Sequence, residues 1–196
     1  ARDFVAPDKP NLTCFAYAES RPLIDTPSAR NGIRVISVPD IRWTRRDIKS
    51  VGLLAQALAK TEAKAQGVDD AWLVAPDGFV TEGASANAWI VTKDGEIITR
   101  ALSNMILAGI TRHALFDSLG QQGRKITERS FTLEEAKNAA EAFVTAATGL
   151  VTPVTEIDGV KLGGGRPGPV TRGVQKIYYT AIGADVSKAA PWVNVG

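Results

Sequence analysis

The chain has 196 residues, 44% of them hydrophobic, and 23 Lys and Arg stand against 21 Asp and Glu for a formal net charge of +2. That length predicts one domain, or one domain with a fragment of another, and enough apolar residues for an ordinary core. The near balance of charge argues against a nucleic-acid partner, and no apolar run approaches the roughly 20 residues of a membrane-spanning helix.

Residues 12–18 (LTCFAYA) read as a strand, with Cys14 on the same face as Leu12 and Ala16 and so expected to be buried. A single cysteine excludes an internal disulfide and suits a reducing compartment, and no charged-then-apolar leader is seen, so the expected location is cytoplasmic. Arg21 to Asn31 is rich in Pro, Ser and Asp and reads as a linker. Gly32 then opens the strand IRVISV, with Ile33, Val35 and Ser37 on one face and Arg34, Ile36 and Val38 on the other.

Residues 51–66 carry Val51, Leu54, Leu58 and Ala65 at helical spacing, and Gly67 is a natural stop. A strand (71–75), a Pro76-Asp77-Gly78 turn and a second strand (79–82) follow. Residues 87–92 and 96–100 form a predicted hairpin around Asp94-Gly95, a type I′ signal. A helix over 109–119 shows Ile110, Ala114 and Leu115 on one face. Next come a short strand (125–128), a helix opened by the Thr132/Glu135 capping box, and a strand over 142–146. Residues 151–157 turn through Asp158-Gly159 into 160–162. A last helix covers about 170–182, and in the tail Trp192 and Val193 are candidates to dock.

Three stretches carry chemistry. Asp40-Ile-Arg-Trp-Thr-Arg-Arg-Asp-Ile-Lys49-Ser50 sets a lysine among arginines before a predicted helix start. There the helix dipole and the arginines are expected to favour the neutral, nucleophilic amine. Thr81-Glu82-Gly83-Ala84-Ser85-Ala86-Asn87 and Asn104 to Arg112 are the others. In order and spacing these stretches resemble the fold-type-IV pyridoxal-phosphate enzymes, and among them the D-amino-acid aminotransferases, over about Arg2 to Ile182.

The resemblance implies an α+β fold, a mixed sheet or pseudo-barrel with surrounding helices. It implies a large cofactor domain over 32–196, a linker over 21–31, and in residues 1–20 the end of a small N-terminal domain otherwise missing from the chain. The implied cofactor is pyridoxal 5'-phosphate, and the implied assembly is a homodimer. Lys49 would be the Schiff-base lysine, Glu82 the partner of the ring nitrogen, and Leu107 the residue packed on the ring. Gly109, Ile110 and Thr111 would cradle the phosphate with Ala146, Ala147 and Thr148, the alanines through backbone N–H alone. Arg2 would hold the substrate carboxylate, although Phe4 stands where the family has a histidine. The implied reaction moves an amino group from a D-amino acid to a 2-oxo acid. The same residues also fit a branched-chain L-amino-acid or R-amine transaminase, a lyase of the aminodeoxychorismate type, or a non-catalytic fragment. His113 is the only histidine, so no metal site is expected.

Overall fold

A computed structural model of the chain describes residue 5 and residues 7–194. Arg2 and Phe4 lie outside the described residues. The architecture is one nine-stranded mixed sheet with its three longer helices on one face, the expected α+β arrangement.

After α1 (Pro27–Asn31) the first strand is β1 (Ile33–Pro39). The remaining strands are β2 (Asp70–Val74), β3 (Val80–Gly83), β4 (Asn87–Val91), β5 (Ile97–Thr99), β6 (Ile126–Glu128), β7 (Glu141–Ala146), β8 (Leu150–Ile157) and β9 (Val160–Lys161). Their order is β3-β2-β1-β8-β7-β4-β5-β6, and β9 pairs with β8. The longer helices are α2 (Leu54–Ala65), α3 (Ile110–Gln121) and α5 (Pro169–Ala181), with the short α4 (Leu133–Lys137) and α6 (Val186–Ala189).

Strand alternation divides the core into three. One face of the sheet gathers Val35, Trp72, Val80, Ile90, Ile98, Val144 and Val154 with Phe131 into a shared interior. On the opposite face, Trp89, Phe143 and Val151 pack beneath Leu115 and Leu119 of α3 and Val174, Tyr178 and Tyr179 of α5. Ile36, Val38, Ala71 and Leu73 pack beneath Ala59 and Ala63 of α2. The two faces of β1 are those the alternation predicted.

The N-terminus of α5 lacks a side-chain cap of its own, since its cap residue is Gly168. Buried Glu141, at the start of β7, supplies the missing acceptors: Val170 N–H donates to Oε1 at 3.0 Å and Thr171 N–H to Oε2 at 2.7 Å. A Cβ at residue 168 would overlap this carboxylate, so a larger residue there would push Glu141 out of its capping position. The C-terminal tail docks as expected, with Val193 buried and Trp192 edge-on to Tyr179 at 6.3 Å.

Five expectations are corrected. Residues 12–18 form no strand, and Cys14 is exposed with its neighbours Leu12 and Phe15. No described strand pairs with this segment, and an isolated strand has no ladder to hold it. Within the expected linker, Pro27–Asn31 is a helical turn, capped by Thr26, whose Oγ1 accepts from Ala29 N–H at 3.1 Å. The helix expected from residue 51 opens at Leu54, because Ser50 Oγ accepts from Gly52 N–H at 3.3 Å and holds a local turn instead. Its inward face is the alanine face, and Val51, Leu54 and Leu58 face solvent, Val51 at 96% exposure. In α3 the buried face is Thr111, Arg112, Leu115, Ser118 and Leu119, while Ile110 is exposed. Finally, Asp94 does not take a positive φ and only Gly95 does (83°), so the β4–β5 turn is not of type I′. Five residues separate the paired Val91 and Ile97, too many for that two-residue turn. The type I′ turn is at Asp158 and Gly159 (φ 47° and 79°), between the paired Ile157 and Val160.

Candidate active site

Glu82 is the last residue but one of β3 and is only 4% exposed. Arg42 Nη1 donates to its Oε1, Asn87 Nδ2 donates to Oε2 at 2.9 Å, and Leu107 N–H donates to Oε2 at 3.2 Å. The same Leu107 N–H also lies 3.4 Å from Oε1, so three donors shared over both oxygens fix the carboxylate plane. Burial pushes the Glu82 carboxyl above its usual range; the Arg42 charge and hydrogen bond and the Leu107 N–H pull against that without cancelling it.

Behind Glu82 lies a buried group of charges. Arg42 donates from Nε to Asp40 Oδ1 at 2.9 Å and from Nη2 to Asp40 Oδ2 at 2.8 Å. Thr81 Oγ1 donates to Asp40 Oδ2 at 2.7 Å, and Arg46 Nε lies 3.2 Å from the same oxygen. Burial alone would raise Asp40, but the bonds from Arg42 and Thr81 outweigh it and hold the carboxyl below its ordinary range. Two arginines and two carboxylates therefore balance within the protein. Arg45 is outside this group and pairs with Asp47 at the surface.

Lys49 is exposed and makes no hydrogen bond or ion pair with the described residues. Neither feature expected to act on it is placed to do so. The helix begins five residues later, beyond the reach of its end charge, and the three arginines are each paired with a carboxylate. The loop that carries Lys49 is nevertheless tied to the site. Arg46 N–H donates to Asn104 O at 2.9 Å, and its Nη1 meets Met105 Sδ at 2.9 Å, two residues before Leu107.

The two expected phosphate loops meet the same end of β4. Gly109 caps α3 with no side-chain acceptor, so the first N–H groups of that helix are unpaired, a setting suited to an anion. A Cβ at Gly109 would overlap Asn87 Oδ1, so the loop lies directly against that residue. Asn87 is in register with Thr145 of β7, whose chain runs on to Ala146, Ala147 and Thr148. Ala147 and Thr148 are exposed in the turn before β8, and Leu150 just beyond holds a positive φ of 51°. Thr145 already accepts from Trp89 Nε1 at 2.9 Å, which leaves Thr148 as the loop's open hydroxyl. Thr111 is 2% exposed, and its Oγ1 is buried without a partner. His113 is exposed, 3.9 Å from Asp117.

Residues 1–157 match the family model described as amino-transferase class IV. The chain belongs to that family. It is 36% identical over 179 residues to a D-alanine aminotransferase of Bacillus licheniformis, covering 91% of this chain and 62% of the relative. It is 42% identical over 168 residues to one of Staphylococcus haemolyticus, covering 86% and 58%. The chain thus spans about three fifths of the length of these curated relatives. Among solved structures it resembles a T.th. branched-chain amino acid aminotransferase complexed with N-(5'-phosphopyridoxyl)-L-glutamate, with a TM-score of 0.71 and 32% identity over 79% of this chain and 53% of that one. The branched-chain aminotransferase of Thermoproteus uzoniensis with norvaline matches at a TM-score of 0.70 and 33% identity, over 83% and 55%.

Fold-type-IV aminotransferases use pyridoxal phosphate, and the residues present fit it. Glu82 offers a buried carboxylate with a fixed plane, the α3 N-terminus keeps unpaired donors, and the buried Thr111 hydroxyl lacks a partner. Sequence reasoning missed Asp40, Thr81 and Asn87, and read Arg42 as an influence on Lys49. The one local sign was an aspartate at residue 40, a type whose side chain accepts from the N–H two residues on, as from Arg42 N–H at 3.2 Å; it did not mark the guanidinium fork.

Proposed function

We propose that this chain is the cofactor-binding part of a transaminase that moves the amino group of a D-amino acid to a 2-oxo acid. Within it we assign residues 32–196 to the large domain, 21–31 to the linker and 1–20 to the end of a small domain, in a homodimer. The observation that carries the reading is the buried Glu82 carboxylate, its plane held by three donors beside the α3 N-terminus loop. The likeness to D-alanine aminotransferases supports the substrate class.

When bound, pyridoxal phosphate supplies an aldehyde that condenses with amines and a ring that accepts an electron pair. Glu82 would hold the proton at the ring nitrogen. Gly109, Ile110 and Thr111, with Ala146, Ala147 and Thr148, would hold the phosphate through backbone N–H groups and two hydroxyls. Lys49 would bond the cofactor and carry a proton to and from the substrate α-carbon, and one amine can do both because the two events share a face. Leu107 would pack on the ring, and Arg2 would bind the substrate carboxylate.

Sodium borohydride treatment of the cofactor-loaded protein, followed by peptide mapping, tests the site. Label on Lys49 is expected, and label on another lysine overturns the assignment. A branched-chain L-amino-acid aminotransferase is the second reading, favoured by the solved structures of that name. Turnover of D-alanine but not L-leucine supports the first reading, and the reverse promotes the second.

A further inference from the structure

Arg42 divides its guanidinium unequally. Two of its nitrogens form a fork on Asp40, and one reaches Glu82. A fork of this kind is both stronger and geometrically more selective than a single contact. Asp40 is met from two further directions: Thr81 Oγ1 donates to it at 2.7 Å, and the Arg46 Nε lies 3.2 Å away as a charge contact without a hydrogen bond. The side chain of Asp40 is wholly buried, so no water competes for these partners.

We propose that Asp40 is a positioning residue that keeps the fork of Arg42 on itself, so that Glu82 receives a single guanidinium N–H and stays a strong enough acceptor for a proton on the ring nitrogen. The functional meaning of this rests on the reading of Glu82 given above. The charge balance behind it belongs to the chain alone. If Arg42 gave its fork to Glu82, that carboxylate would be satisfied from within the protein and would bind a proton more weakly. Asp40 prevents this by holding the larger share of the cation.

The groups that bear on Glu82 are Arg42 and Asp40 from the loop after β1, Asn87 from β4 and the Leu107 N–H, with Arg46 acting through Asp40. Removing the negative charge at Asp40 leaves two arginines for one carboxylate, so Glu82 must lose its proton at lower pH. Removing Arg46, which touches Asp40 but not Glu82, draws Arg42 further toward Asp40, so Glu82 must hold its proton to higher pH. A residue acting only through packing would move neither.

Carboxyl-carbon NMR of protein labelled at glutamate and free of cofactor measures this, with Glu82→Gln identifying the Glu82 signal. Asp40→Asn is expected to lower the Glu82 midpoint by about one pH unit, and Arg46→Gln to raise it. An unchanged midpoint in both variants overturns the proposal. A raised midpoint in Asp40→Asn also overturns it, because Arg42 would then have left Glu82. Should Asp40→Asn fail to fold, Arg46→Gln decides alone: a rise supports the proposal and no change sinks it. These readings need no cofactor, so a failure here is distinct from a failure of the borohydride test at Lys49.

Discussion

Glu141→Ala removes the cap that β7 lends to α5. Two hydrogen bonds to a carboxylate are lost, from Val170 N–H and Thr171 N–H. The two donors then differ. Val170 is half-buried and its N–H can turn to water, so its loss is small. Thr171 is fully buried, and its N–H is left unpaired at a cost of about 2–3 kcal/mol. The lost attraction between the carboxylate and the positive helix end adds about 1 kcal/mol. The expected total is about 3–4 kcal/mol, a large part of the stability of an ordinary domain. Urea unfolding followed by circular dichroism reads it as a lower midpoint with an unchanged slope. Glu141→Gln keeps one acceptor and presents an NH2 to the other N–H, so about half the loss is expected. A loss below about 1 kcal/mol in Glu141→Ala would refute the trans-capping argument, since it would mean that Thr171 N–H finds another partner.

Three further outcomes are expected. Thr111→Val removes a buried hydroxyl that has no partner, so thermal unfolding should show a gain of about 1 kcal/mol while affinity for inorganic phosphate falls; a loss of stability would show that the hydroxyl is bonded. Asp158 accepts from Ser37 N–H at 2.6 Å and Ser37 Oγ at 2.7 Å and pairs with Lys137 at 2.8 Å. Burial would raise its carboxyl, but the Lys137 and Ser37 bonds outweigh it and hold it below the ordinary 3.8. The unfolded chain therefore binds that proton more readily, so the stability due to Asp158 is complete above that ordinary value and is lost as pH falls through the folded one. Asp158→Asn should cost about 1 kcal/mol at neutral pH, and the difference should vanish on acidification; a gap that persists in acid counts against the ion pair. Arg2→Ala should raise the KM for D-amino acids much more than for amines without a carboxylate, and equal effects on both would remove Arg2 from the substrate site.

Much of the fold was legible because its signals are local. Alternation in IRVISV, the Thr132 cap and the Asp158-Gly159 turn each follow from a few adjacent residues. The failures came where a distant partner decides. Leu54 and Leu58 look like a core stripe by spacing, yet the close approach of α2 to β2 selects Ala59 and Ala63. Whether residues 12–18 form a strand depends on what lies beside them, which their own alternation does not reveal. In the site, Glu82 and the Gly109 helix start were readable as motifs. The fork between Arg42 and Asp40 was not, because an arginine in sequence carries no mark of which carboxylate it will meet.

The place of β1 bears on how the chain is made. It pairs in parallel with β2 on one side and with β8 on the other, and Ser37 meets Asp158 across a separation of 121 residues. During synthesis at roughly 5–20 residues per second, β1 therefore waits on the order of 6–24 s before its second neighbour exists. Through that interval a strand flanked on both sides in the finished protein keeps an open edge. Closing so long a loop is slow compared with forming a hairpin. The nascent chain is thus exposed to mispairing at the strand that leads directly into the Asp40–Lys49 loop, and covering that edge is the late event on which the site's assembly depends.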